Sequence, residues 1–131
     1  MINQHTTDFS IHQPIMAVDF DGTLVTNKYP EIGEERVNFC KIIRILQKMG
    51  VRSILWTSRT GEALRQAIEW CEDHDLHFDT VNENLPEIIE MAGGIDTRKV
   101  FADVYFDDRN RTVDATFMKK KVEEVWSWLG K

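Results

Sequence analysis

Apolar and polar positions along the chain switch repeatedly between two periods. Ile15-Met16-Ala17-Val18-Asp19-Phe20 is a short, nearly continuous apolar run, the pattern of a strand buried on both faces. From Glu34 to Met49 the spacing lengthens, and Val37, Cys40, Ile42, Ile43, Ile45, Leu46 and Met49 predict an amphipathic helix stopped by Gly50. Val51–Thr57 reads as a second strand. Thr60 then caps a helix that runs to about His74 and buries Leu64, Ala67, Ile68 and Cys71. His77–Val81 predicts a short third strand. Pro86 opens a helix carrying Ile88, Ile89 and Met91, and Gly93-Gly94 ends it. Val100–Phe106 is a fourth apolar run, and Lys119–Leu129 closes the chain as a helix presenting Val122, Val125, Trp126 and Leu129. Trp126 and Trp128, two apart, cannot share one helix side, which puts one in the core and the other at a subunit contact.

Strand and helix alternate four times, which predicts a parallel sheet with helices on both faces in a single Rossmann-like α/β domain. That domain spans 15–131, and residues 1–14, which lack a period, form an N-terminal arm. No repeat or linker breaks it. Ligands in this architecture bind at the carboxyl ends of the strands. Here the first strand ends in Asp19-Phe20-Asp21, the second in Thr57-Ser58-Arg59 and the fourth in Asp107-Asp108-Arg109. Stability has little use for carboxylates, hydroxyls and cations gathered at one sheet edge, whereas a polar site does.

Composition narrows the class. With 131 residues, 42% hydrophobic and 29% charged, the chain can bury a core without staples. No apolar run approaches the roughly 20 residues needed to span a bilayer, and the start lacks a secretory pattern. Cys40 and Cys71 fall at apolar helix phases and read as buried thiols of a reducing cytoplasm. His5, His12, His74 and His77 have no ligand spacing. A formal charge of −6 argues against long nucleic acid as a partner. It does not argue against phosphate chemistry, because carboxylates gathered around a cation add to the same count.

Asp19 follows four apolar residues and opens Asp19-Phe20-Asp21-Gly22-Thr23-Leu24, where Gly22 permits a tight turn. Together with Asp107 and Asp108, four carboxylates would crowd one small region. They cannot all ionise without a cation, and hard oxygen ligands suit Mg²⁺. At these residues the sequence resembles the haloacid dehalogenase (HAD) superfamily. The segment Asp19 to Leu24 is similar to motif I, Thr57 after Ser53-Ile54-Leu55-Trp56 to motif II, and Asp107-Asp108 after Val104-Tyr105-Phe106 to the acidic motif IV.

The resemblance implies Asp19 as the nucleophile of a phosphate-ester hydrolase, forming an aspartyl-phosphate that water then hydrolyses. It implies Asp21 as general acid and base, with its main-chain carbonyl helping to hold Mg²⁺. Asp19, Asp107 and Asp108 complete the metal set, and Thr57 contacts the phosphoryl group. Phe20, Ser58, Arg59 and Lys28 are the expected substrate-side residues. The family's motif III lysine is missing from Val81-Asn82-Glu83-Asn84-Leu85-Pro86-Glu87-Ile88, which leaves Lys99 as the catalytic candidate. Were 99–107 fully extended, Lys99 would stand about 26 Å away at about 3.3 Å per residue, so the reading requires a bend near Asp103. Arg59 and Arg109 are the alternative sources of positive charge, and Asn82 or Asn84 could orient the site.

Neither the gap from Leu24 to Glu34 nor that from Thr57 to Val81 has room for the cap domain such enzymes often carry. The site is expected to be open, with the loop Val25–Gly33 facing the substrate and a neighbouring copy in a homo-oligomer able to cover it. The substrate class is a phosphorylated small molecule or the terminal phosphate of something larger, with water or another acceptor. The competing reading is a binding or regulatory module that keeps the fold with weak catalysis.

Overall fold

The computed structural model describes residues 13–108, 120, 122–124 and 126–127. Four strands, β1 (Ile15–Val18), β2 (Arg52–Leu55), β3 (Thr80–Val81) and β4 (Val104–Phe106), pair in parallel in the order β3-β2-β1-β4. Between them run the helices α1 (Val37–Lys48), α2 (Gly61–Asp73) and α3 (Pro86–Met91). The central strand β1 aligns Ile15–Val18 with Arg52–Leu55 on one side and Met16–Val18 with Val104–Phe106 on the other.

Alternate β1 side chains divide the interior into two layers. Met16, Val18 and Phe20 join Leu55, Val104 and Phe106 against Cys40, Ile43 and Leu46 of α1 and Ala67 and Cys71 of α2. Ile15 and Ala17 point the other way, packing with Ile54 against Leu85, Val100 and Ile88 of α3. The sheet is therefore covered by helices on both faces, which is why the central strand β1 is apolar at every position. Each buried Leu or Ile contributes about 1.5–3 kcal/mol of transfer free energy. Both cysteines are buried and free, and burial pushes their thiols up, Cys40 to about 11 and Cys71 to about 12.

The helix faces are narrower than the sequence suggests. In α1, Phe39, Cys40, Ile43 and Leu46 are buried, whereas Val37, Ile45 and Met49 are exposed. In α2, Ala67 and Cys71 are buried but Ile68 is exposed. Adjacent positions lie about 100° apart around a helix, so of Ile45 and Leu46 only one can meet the sheet. Thr60 occupies the N-cap position of α2 but makes no capping hydrogen bond through its side chain. Beyond β4, residues 120, 122–124 and 126–127 are helical, with Val122 packed against the α1/α2 layer and Trp126 exposed. The N-terminal arm, apart from its last two residues, and Arg109, Asn110, Val125, Trp128 and Leu129 lie outside the described residues, as do His5 and His12.

Candidate metal centre and active site

The chain passes from β1 to β2 to β3 in one direction and then returns to place β4 on the opposite side of β1. The strand order reverses between β1 and β4, and a crevice opens beyond the carboxyl ends of strands at such a point. A cavity of about 770 Å³ occupies this place, lined by Asp19, Asp21, Asn27, Tyr29, Thr57, Ser58, Arg59, Asp107 and Asp108.

Local hydrogen bonds explain how the first segment is shaped. The β1 ladder ends at Val18, although Asp19 N still donates to Phe106 O at 2.8 Å. The Phe20 carbonyl then accepts from the amides of Thr23, Leu24 and Val25, winding the chain into one tight turn. Gly22 lies in this turn at φ +85°, and a Cβ there would fall 2.1 Å from Asp108 Oδ2. Both the backbone conformation and the close approach of Asp108 therefore require glycine. After the turn, Thr26 N donates to Glu34 O and Arg36 N to Leu24 O, both at 2.8 Å. These bonds pinch the base of the loop 27–33.

The carboxylates of Asp19, Asp107 and Asp108 each bring an oxygen within 4.8 Å of the others. Burial is the largest effect on Asp19. With a hydrogen bond to Asp108 and the charges of Asp107 and Asp108, it pushes the Asp19 carboxyl up to about 8, while the Phe20 amide pulls the other way. Three half-buried acids with that much mutual repulsion form a hard-oxygen donor set suited to a divalent cation. The carboxylate of Asp21, expected beside them, instead turns to Arg59: Nε reaches Oδ2 at 2.8 Å and Nη2 reaches Oδ1 at 2.7 Å. Only the main chain of Asp21 is left for a cation.

Thr57 and Ser58 line the cavity as expected. Thr57 N donates to Asn82 Oδ1 at 2.8 Å, with Asn82 at the end of β3 in a left-handed conformation of φ 54°. The Thr57 hydroxyl accepts from Arg59 N at 3.1 Å, which leaves its own hydrogen to donate into the cavity.

Five further expectations change. Lys99 is not brought to this cavity. The Tyr105 hydroxyl donates to Val100 O at 2.6 Å and accepts from Ala102 N, folding 100–102 back under β4. The Lys99 ammonium then sits 5.6 Å from the Tyr105 ring centre, beside a second cavity. The chain does bend near Asp103, whose carboxylate accepts from Ile15 N, but the bend leads elsewhere. Lys28 is 58% exposed and faces Glu34 at 3.6 Å, outside the cavity lining. The Phe20 side chain is core, packed edge-to-face on Trp70, so only its main chain borders the site. Arg59 lines the cavity, yet it is buried and its donors go to the protein. Asn84 is buried too, holding the loop 96–101 through Asp96 and Phe101 N rather than orienting the site. Asn27 is a lining residue that the sequence did not mark, since a polar loop residue carries no distinguishing pattern.

Only the loop 27–33 follows β1 and only α2 with its connections separates β2 from β3, so neither place holds a cap domain. Among the described residues no helix is long and apolar enough to cross a membrane.

No protein-family model and no curated protein matches the chain. Among solved structures it is similar to a conserved protein from Bacteroides thetaiotaomicron, at 39% sequence identity and a TM-score of 0.73. The match covers 86% of this chain and 92% of the other. On that identity and coverage, the chain belongs to the same family as this conserved Bacteroides thetaiotaomicron protein.

Proposed function

We propose that the chain is a HAD-superfamily phosphohydrolase, cleaving phosphate monoesters of small molecules or of exposed termini in a reducing cytoplasm. The observation that carries this reading is the meeting of Asp19, Asp107 and Asp108 within 4.8 Å at the strand-order reversal, with Thr57 on the same cavity. The same arrangement is hard to account for as a binding module, since a scaffold gains nothing from three mutually repelling half-buried carboxylates.

In this mechanism an Asp19 oxygen attacks phosphorus and the bond to the leaving oxygen breaks. Asp21 is the proton donor to that oxygen. Thr57 donates its hydroxyl hydrogen to the phosphoryl oxygens. Water then attacks the aspartyl-phosphate, its proton passes to the Asp21 carboxylate, and Asp19 and inorganic phosphate are released. Mg²⁺ held by Asp19, Asp107, Asp108 and the Asp21 carbonyl would neutralise charge between carboxylates and phosphate. The open cavity admits bulky leaving groups, and Asn27 and the 57% exposed Tyr29 stand where they would pass.

The test is phosphate release from an aryl phosphate and a panel of phosphorylated metabolites, with Mg²⁺ and with chelator. Turnover should need the cation and fall by about 10³-fold or more in Asp19→Asn. A full panel without any Asp19-dependent release would favour the binding module.

A further inference from the structure

Arg59 is the largest fully buried side chain among the described residues, at 1% exposure. A guanidinium has five N–H donors and no means of losing its charge. All five are used within the protein. Nε–H goes to Asp21 Oδ2, and the Nη2 hydrogens go to Asp21 Oδ1 at 2.7 Å and Glu31 O at 2.8 Å. The Nη1 hydrogens go to Pro30 O at 3.0 Å and Ala63 O at 3.2 Å. Two aromatic rings lie beside it as well, with the Phe20 ring centre 5.0 Å and the Tyr29 ring centre 5.1 Å from the guanidinium carbon. No donor remains for a substrate phosphate.

We infer that Arg59 is a positioning residue that joins the proton-transfer group Asp21 and the loop 27–33 into one rigid unit. The inference rests on the phosphohydrolase reading for the role of Asp21, but the linkage itself does not. Three otherwise separate segments, the turn after β1, the loop and the first turn of α2, converge on one planar fork. Bidentate geometry fixes the plane of the Asp21 carboxylate, and each oxygen keeps a second lone pair for the proton. The Pro30 and Glu31 carbonyls fix the loop at the same time. Tyr29, its ring centre 5.1 Å from the guanidinium carbon, therefore belongs to a loop held by the group that aims the acid.

The experiment compares kcat/KM, which reports only steps up to leaving-group departure, for an alkyl phosphate and for 4-nitrophenyl phosphate. An alkoxide needs a proton to leave and a nitrophenolate scarcely does. Arg59→Ala and Arg59→Lys should therefore lose about 100-fold or more on the alkyl ester and only a few-fold on the nitrophenyl ester, as Asp21→Asn does. Combined with Asp21→Asn, either variant should cost little further. Equal losses on both esters, full additivity with Asp21→Asn, or a gain in kcat/KM would each overturn the inference. Hydrogen exchange covers the case in which activity cannot be read. Amides of 27–33 should exchange at least about 10-fold faster in Arg59→Lys, which keeps the charge but not the fork, while α1 amides stay unchanged. Unaltered loop exchange would refute the linkage even were the wild-type chain to show no turnover, a result that would count against the phosphohydrolase reading alone.

Discussion

The two sides of the cavity hold their negative charge in opposite ways. On one side Asp21 meets a buried guanidinium in a two-point fork, so charge and geometry are both satisfied by the chain itself. On the other, Asp19, Asp107 and Asp108 crowd together, and the Asp19 carboxyl is driven up to about 8. The difference separates a group whose aim must stay constant from a group whose charge must be matched by something arriving from solution. On the proposed reading Asp19 attacks phosphorus, and a permanent protein cation bound to it would compete with the substrate.

The largest expected break in this contrast comes from removing a carboxylate of the open side. Asp108→Ala should weaken Mg²⁺ binding by about 10–100-fold by calorimetry, because one hard ligand is lost from a small set. Gly22→Ala should follow, since its Cβ must displace Asp108 and its φ of +85° strains any side chain. A stability loss of about 1–3 kcal/mol in urea titrations, with weaker Mg²⁺ binding, is the expected result. Next comes pH. Asp19 titrates higher folded than unfolded, so the native chain binds more protons between about pH 4 and pH 8. Stability of the cation-free chain therefore falls as pH rises through that window. Melting temperature followed from pH 5 to pH 9 should show the fall, and saturating Mg²⁺ should flatten it. Asp19→Asn should flatten it as well, without any cation. The smallest effect belongs to Lys99→Ala. With its ammonium over Tyr105 and away from the cavity, kcat/KM should change less than about 2-fold.

Much of this is legible in the amino-acid sequence, and the reason differs by residue. Strand-helix alternation was readable because the sheet is buried on both faces, and Gly50 and Pro86 mark helix limits through backbone chemistry alone. The acidic edge was readable because a parallel sheet sends every strand end to the same side. The sequence places Arg59 at the site but does not reveal its role, since its fork partner lies 38 residues away and charge pattern gives no direction. Lys99 was misplaced for a similar reason: one hydroxyl, that of Tyr105, decides where 100–102 fold. The exposed positions of α1 show a further limit. Apolar residues in neighbouring phases compete for one sheet, and packing alone chooses between Ile45 and Leu46.

The fork of Arg59 meets the loop through the carbonyls of Pro30 and Glu31, and meets α2 through that of Ala63. Carbonyl oxygens belong to every amino acid. A lineage carrying this framework can therefore exchange most of the loop's side chains, and with them, on the proposed reading, the leaving groups it accepts, without loosening the bonds that hold the loop. Substrate preference is thereby uncoupled from architecture. On the proposed reading, drift at positions 27–32 is a route to new substrates, whereas Gly33, where a Cβ would fall 1.9 Å from Thr26 O, is fixed, and Asp21 and Arg59 can change only together.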